Sequence, residues 1–498
     1  MLGKSAGRIN YLICFFAFLS LSILYGYVGY SSFGFDDEFW NITIVEKYGK
    51  DIVKFSQNED IHPPLSYIFN FVFFKFFDNW NMVRLISGLL TSLSIIYLIV
   101  HITNIYGRLS GFFAFFLIGL NPGILMWCTS LRWYSYFIPI LNFILVTPKK
   151  LNGWLYWQKL LVGLVLMAYL NYVTLLIAPI LIYYYWIKCN DELKIRTRHL
   201  LTLLITLIVT TSYQAYFFLT IHFPNSETQF SPIINNLIGV VVSNFSNQGV
   251  FPLSIAGIVS IFGTFLITLI IIKYVFLGKK REYLFEIYLI LTAIFIFAGL
   301  AGKFRNNLLI SPIQALMFCS FIPTIRKKYF LISLSMIVIG NLVGVLNVIK
   351  HENTIKNNWN FPVQDVLDKI DILNSQSKAN LILTHDPLLT NILENKKLKL
   401  LSPYSNDKMK TENDISKIEN LIIIKTYKGS INVDKIKKMY DEVKKVKFDG
   451  KDSFRFGLDK FYNYKRIIDP HFPQYQVEIV YLKNIITYPN FLEWIDNT

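Results

Sequence analysis

About eleven apolar runs, strung through the first 350 residues and separated by short polar loops, constrain the fold of this chain more than any other feature. They lie at about Ile9 to Tyr30, Val83 to Asn104, Gly111 to Trp127, Tyr134 to Val146, Leu155 to Leu170 and Val173 to Trp186. Further runs follow at about Leu200 to Ile221, Leu253 to Phe276, Leu284 to Leu300, Leu308 to Thr324 and Phe330 to Ile349. A helix rises 1.5 Å per residue, so roughly 20 such residues cross ~30 Å of hydrocarbon. Several of the runs are shorter than that, and their boundaries are soft. The first is too long for a signal-peptide core and has no small-residue cleavage site behind it, so it reads as a retained anchor.

Charge divides the chain in two. About 43 of the 82 charged residues fall after position 350, so their density is roughly 11% before that point and roughly 29% after it. The expected fold is a polytopic α-helical membrane protein of about 11 transmembrane helices over residues 1–350, followed by a soluble α/β domain over residues 351–498. With 53% hydrophobic and 16% charged residues, disorder is excluded and an ordinary soluble enzyme is a poor fit. The net charge of +16 is no nucleic-acid signature, because most of the basic excess sits in short loops between apolar runs.

Those loops give an orientation. Lys4 and Arg8, Arg108, Lys149 and Lys150, the Lys188 to Arg198 cluster, Lys279 to Arg281, and Arg326 to Lys328 all fall on one side if the eleven spans simply alternate. That side carries about 17 basic against 4 acidic groups, the other about 9 against 9, so the amino terminus is expected in the cytoplasm and the tail outside it. A span at Ile61 to Asp78 would reverse every later basic loop. That segment is therefore expected to be an amphipathic or re-entrant helix on the outer face, within a long first outer loop over residues 31–82.

In the tail, strand-like runs (Asn380 to Thr384, Leu421 to Lys425, Val477 to Leu482) alternate with helix-like ones (Val363 to Leu373, Val433 to Lys445). The Lys-rich stretch Lys435 to Lys447 reads as the solvated face of the second helix. Cys14, Cys128, Cys189 and Cys319 are scattered without the spacing of a metal site or a disulfide framework, and read as packing residues.

Four polar constellations face the outer side in this topology. Asp36, Asp37 and Glu38 stand together just after the first span, between Phe35 and Phe39. His62 is followed by Pro63 and Pro64, which stiffen the backbone that presents it. Arg132 sits in the turn Thr129-Ser130-Leu131-Arg132-Trp133 between spans three and four. Lys303 and Arg305 share the loop between spans nine and ten. Each alone also fits a bland role: solvated acids at a helix start, a structural histidine, arginines and lysines snorkelling to headgroups. Together they place acids, a histidine and three cations on one membrane face. That combination suits a lipid-linked phosphate substrate, with cations holding phosphate and a carboxylate activating an acceptor.

The order Asp37-Glu38, His62-Pro63-Pro64-Leu65, Arg84-Leu85 opening a span, Ser130-Leu131-Arg132-Trp133-Tyr134, then Arg305 with Leu308-Leu309 and Pro312 resembles the GT-C superfamily of polytopic glycosyltransferases. In particular it resembles the protein O-mannosyltransferase branch and its bacterial relatives, including the lipid A aminoarabinose transferase. The resemblance covers about residues 9 to 349. It implies a catalytic aspartate in the first outer loop, a polyprenyl-phosphate sugar donor, transfer outside the cytoplasm and inversion at the anomeric carbon. On this resemblance Asp37 is the base with Glu38 beside it, and Asp36 is its rival because three acids in a row leave the register open. His62, Arg132 and Arg305 fall near the donor phosphate, and Lys303 joins them by proximity alone. Lys303-Phe304-Arg305-Asn306 stands where an Arg-Tyr pair is commoner. The chain also lacks the inserted sugar-binding repeats of the eukaryotic mannosyltransferases, so the acceptor stays open among glycan, lipid and protein.

The expected activity is thus an inverting glycosyl transfer from a polyprenyl-phosphate donor, with no cofactor. A divalent metal held by the acids is the version not expected, since fixed cations can stabilise the leaving phosphate. The rivals are a lipid-linked glycan polymerase or ligase and, for a chain with few mid-membrane charges, less so a transporter. Membrane lipids are the expected surroundings and nucleic acid is no partner. The Lys-, Asn- and Ile-heavy composition, and an Asn41-Ile42-Thr43 sequon whose glycan would crowd the acids, point to a bacterial cytoplasmic membrane.

Overall fold

A computed structural model describes residues 2–31, 36–58, 63–146, 153–189, 255–277, 283–298, 307–355, 363–376, 380–384, 400–401, 420–425, 440–449 and 476–485, with isolated positions between 204 and 245 and at 390 and 393. The expected span at Leu200 to Ile221 lies largely outside these residues. The described chain divides into two units. One comprises Met1–Ser32, Tyr48–Glu352 and Leu458–Lys460; the other comprises Phe33–Lys47, Asn353–Gly457 and Phe461–Thr498.

The first unit is helical. Its elements are α1 (Leu2–Ser31), then, after α2 (Asp36–Tyr48), which falls in the other unit as far as Lys47, α3 (Ile52–Asn58), α4 (Leu65–Phe77), α5 (Trp80–Tyr106), α6 (Arg108–Ala114), α7 (Pro122–Trp127), α8 (Tyr134–Leu145), α9 (Gly153–Leu170) and α10 (Thr174–Cys189). After residue 250 come α11 (Ile255–Phe276), α12 (Tyr283–Phe297), α13 (Ser311–Phe321) and α14 (Lys327–Ile355). Among the described residues three segments are long and apolar enough to cross a membrane: Trp80–Tyr106, Ile255–Phe276 and Lys327–Ile349. Seven shorter apolar helices accompany them, among them Phe15–Ser31, Leu65–Phe77 and Tyr134–Leu145.

The polarity of these helices is turned inside out relative to a water-soluble bundle. α5 buries Arg84, Ser87, Thr91 and Ser92 and exposes Leu90, Leu93 and Tyr97. α11 buries Gly257, Ser260, Gly263 and Thr264 and exposes Ile258, Phe262, Phe265 and Leu269. Large apolar side chains do not gather on the outside of a protein in water, whereas in lipid the small and polar residues make the helix contacts. The unit is a helical membrane protein.

Small residues set the crossings. A Cβ on Gly88 would stand 2.4 Å from the Tyr25 carbonyl oxygen, and one on Gly29 2.6 Å from that of Arg84, so α1 and α5 touch backbone to backbone. The two run antiparallel, with the Ser22 and Ser92 hydroxyls 3.3 Å apart across the seam. α11 and α14 repeat the device: a Cβ on Gly340 would lie 2.7 Å from the Ala256 carbonyl oxygen, and one on Gly263 2.9 Å from that of Ser333.

The run expected as one span from Gly111 to Trp127 is broken. α6 passes into a π turn at Phe115–Gly119, and α7 begins anew with Asn121 capping it through Ile124 N–H at 3.0 Å. A π turn interrupts the regular ladder. Its carbonyls are met from elsewhere, Phe116 by the Asn341 amide at 2.7 Å and Gly119 by the Tyr25 hydroxyl at 3.2 Å.

The second unit contains α2, α15 (Val363–Gln376) and five strands: β1 (Asn380–Thr384), β2 (Leu400–Leu401), β3 (Asn420–Lys425), β4 (Tyr440–Asp449) and β5 (Gln476–Ile485). They form one mixed sheet in the order β2-β1-β3-β5-β4. β1 pairs parallel with β2 and β3, while β5 pairs antiparallel with β3 and β4. The inner strands are apolar on both faces, Leu421 to Ile424 and Ile479 to Leu482 being buried throughout, as sheets covered on both sides require. Val366, Ile370 and Leu373 form the buried stripe of α15.

One expectation is corrected here. The Lys-rich stretch read as a helix is, over its described part, the edge strand β4, with Val446 opposite Ile479 and Phe448 opposite Val477. Its lysines suit that place. A charged edge discourages pairing with another chain, and Lys447 lies opposite Glu478.

Candidate functional site

The best-defined polar site lies in the helical unit, around the turn that joins α7 to α8. Thr129, Ser130 and Arg132 are buried there, and the turn is tied from three sides. The Thr91 hydroxyl of α5 donates to the Cys128 carbonyl at 3.2 Å. The Asn70 amide of α4 donates to the Leu131 carbonyl at 2.8 Å. Ser130 donates to the Trp127 carbonyl at 2.6 Å, and Ser135 donates back to the Ser130 carbonyl.

Asn70 is the hub. Besides holding the turn, its side-chain oxygen accepts the Tyr136 hydroxyl at 2.7 Å. Asn70 reaches inward because α4 is turned the same way as the longer helices: Ser66, Tyr67 and Asn70 are buried while Phe76 and Phe77 are exposed. The helix ends at Asp78, whose backbone is left-handed at φ 47°, and Asn79 then caps α5 through the amides of Asn81 and Met82. This tight reversal brings α4 back along the start of α5.

Two guanidinium groups flank the network. Arg132 is 5% exposed in the turn itself. Arg84 is 3% exposed on α5, one turn before Ser87 and on the same face, with its Nη1 donating to the Asn81 side chain at 3.1 Å. Both are engaged with the surrounding protein. A charge held in an apolar bundle is costly and is kept where it does something. Arginine presents a planar fork of donors, which matches the oxygens of a phosphate or carboxylate.

Of the other expected site residues, Asp36, Asp37 and Glu38 open α2, where the amide groups of a first turn favour negative charge. The side chains of Asp36 and Asp37 lie outside the described residues. Glu38 is fully buried and engaged. The three acids belong to the second unit and Arg132 to the first. His62, Lys303 and Arg305 lie outside the described residues. Beside Lys303 and Arg305, Asn307 is described and buried, with its amide donating to the Gly239 carbonyl at 3.4 Å. Among the described residues no group of three or more His, Cys, Asp or Glu side chains could hold a metal ion.

Sequence reasoning quoted Arg84 as part of a motif without giving it a role, and passed over Asn70 and Tyr136. The available signal was a charge at the second position of the apolar run from Val83 and an asparagine amid phenylalanines, positions where a polar group needs a partner.

No protein-family model, no curated protein and no solved structure matches this chain.

Proposed function

We propose that the chain is an inverting glycosyltransferase of the GT-C type, moving a monosaccharide from a polyprenyl-phosphate donor to a glycan, lipid or protein acceptor outside the cytoplasm. The observation that carries this reading is the pair of guanidinium groups, Arg84 and Arg132, buried in an apolar helical unit around one hydrogen-bonded network. Fixed cations in a low-dielectric site stabilise a leaving phosphate strongly, because they need no reorganisation as its charge develops. The acids at the start of α2 supply a base of the kind such a transfer needs.

The step balances as a single displacement. The acceptor hydroxyl gives its proton to Asp37, with Asp36 as the rival base. Its oxygen forms the new bond to the anomeric carbon from the face opposite the departing phosphate. The bond from that carbon to the phosphate oxygen breaks, and its electron pair leaves with the polyprenyl phosphate, held by Arg132 together with His62 and Arg305. No metal takes part in this scheme. In this reading the chain carries about eleven spans in a bacterial cytoplasmic membrane. Its amino terminus is cytoplasmic, and the domain over residues 351–498 lies outside.

The test is substitution of Asp37. Asp37→Asn abolishes transfer and leaves donor binding nearly intact; full turnover in that variant removes Asp37 as base and assigns the role to Asp36. Activity that survives EDTA supports the metal-free scheme, and loss restored by a divalent ion overturns it.

A further inference from the structure

α8 ends inside the helical unit. Ile144, Leu145 and Val146 are buried, and the last carbonyls of a helix have no partner within it, so they are met by side chains of the next two helices. From α10, the Tyr185 hydroxyl donates to the Ile144 carbonyl at 2.6 Å and the Tyr184 hydroxyl to that of Leu145 at 3.5 Å. From α9, the Lys159 ammonium donates to the Val146 carbonyl. Two of these donors are neutral, and the third brings a full charge into an apolar bundle.

That charge stands on a face turned to lipid. Lys159 is half-buried and lies between Leu155 and Val162 in one helical stripe, and both of those are exposed. Its nitrogen is 4.2 Å from the Phe143 ring centre and 6.0 Å from that of Tyr97, two rings that stack on each other and are themselves exposed. Among the described residues no carboxylate pairs with it. The aligned peptide dipoles of α8 present roughly half a negative charge at this end, and the ring faces add a weaker attraction. About half of the positive charge is left without an opposite, at a boundary where hydrocarbon supplies none. After the bond to Val146, two of the three ammonium N–H groups remain for the oxygens of an anion.

We propose that Lys159, Phe143 and Tyr97 at the end of α8 form a seat for an anionic phospholipid. The ammonium holds the phosphodiester, and the acyl chains run along the stripe of Leu155 and Val162. A choline lipid fits less well, because Lys159 already covers the ring face that a quaternary ammonium would seek. Lys149 and Lys150, which follow Val146 closely in sequence, add to the attraction for negative headgroups. The seat rests on the helical unit lying in a membrane and is independent of the proposed glycosyl transfer. Tyr97 stands about 9 Å farther along α5 than Thr91, away from Arg84.

The test is native mass spectrometry of the full-length protein in a neutral detergent, with equal amounts of phosphatidylglycerol and phosphatidylcholine of the same acyl chains. Wild type is compared with Lys159→Gln, which keeps a hydrogen-bond donor and loses the charge, and with Lys75→Gln, which removes the same charge from an exposed place on α4. Wild type and Lys75→Gln retain phosphatidylglycerol over phosphatidylcholine by about three- to fivefold, as one cation at a lipid headgroup supplies, and in Lys159→Gln the ratio falls below about twofold. A ratio that stays above about twofold in Lys159→Gln, or that falls equally in both variants, overturns the seat, the second result assigning the preference to net charge. Equal retention of the two lipids by wild type overturns it as well. Excess inorganic phosphate leaves the phosphatidylglycerol bound, and its displacement makes this a site for free phosphate and overturns the lipid as occupant. If Lys159→Gln does not fold, Lys159→Met, similarly long and apolar, is read in the same way.

Discussion

Replacing Asn70 with alanine removes two hydrogen bonds at once, because one buried side chain donates to Leu131 and accepts from Tyr136. Neither stranded group has water to turn to. In water-soluble proteins a buried group left without its partner costs about 1–3 kcal/mol. Between membrane helices a hydrogen bond averages about 0.6 and reaches about 1.7 kcal/mol. Two such bonds give about 1–3 kcal/mol for Asn70→Ala, and Tyr136→Phe, which breaks one of them, gives about 0.5–1.5 kcal/mol. Because the bond between the two residues is counted in both variants, the double variant falls short of the sum by about 0.6–1.7 kcal/mol. The assay is reversible unfolding in mixed micelles by titration with SDS, followed by tryptophan fluorescence for the four proteins of the cycle. Single effects that add to within about 0.3 kcal/mol refute the network as drawn. The same cycle has a functional reading, since the Leu131 carbonyl adjoins Arg132. Asn70→Ala raises the donor KM along with the instability, and an unchanged KM separates the turn from donor binding.

Further predictions follow from the helix crossings. Gly88→Ala puts a Cβ against the Tyr25 backbone and destabilises the bundle by about 1–3 kcal/mol, whereas Gly26→Ala, whose Cβ would meet only Leu89 Cδ2 at 3.7 Å, stays within about 0.5 kcal/mol of wild type or gains. The same SDS titration checks both, and equal midpoints refute the crossing. Asn341→Ala strips the Phe116 carbonyl of its donor and raises hydrogen exchange at the π turn, while Asn341→Asp, which cannot donate when ionised, does no better; unchanged exchange in both refutes the contact. Lys445→Val on the exposed edge strand makes the purified protein more prone to aggregate without shifting its unfolding, and a monodisperse variant refutes the role given to that lysine.

Long apolar runs were the most legible part of the sequence. Leu253 to Phe276 corresponds to α11 and Phe330 to Ile349 lies within α14, because twenty apolar residues in a row leave no other fold for their backbone. Asn380 to Thr384 coincides with β1, and Val363 to Leu373 with the greater part of α15. The segment between the first two spans yielded α4 at Leu65–Phe77, close to the expected helix. Three things escaped. Within Tyr440–Asp449 the apolar residues Tyr440, Val443 and Val446 recur every third position, a helical rhythm that pairing with β5 overrides. The break in the run from Gly111 depends on partners far away in the chain, Asn341 and Tyr25, which no local pattern contains. The role of Asn70 depends on which face of α4 is covered, and an almost wholly apolar helix carries little periodicity to say so.

The most direct test of the central claim uses the purified protein in detergent with a panel of radiolabelled polyprenyl-phosphate monosaccharides and crude membrane acceptors, following loss of label from the lipid for wild type beside Asp37→Asn. The account predicts release from at least one donor by wild type and none by the variant. No release from any donor by wild type contradicts it, and favours a polymerase, ligase or transporter of lipid-linked sugars.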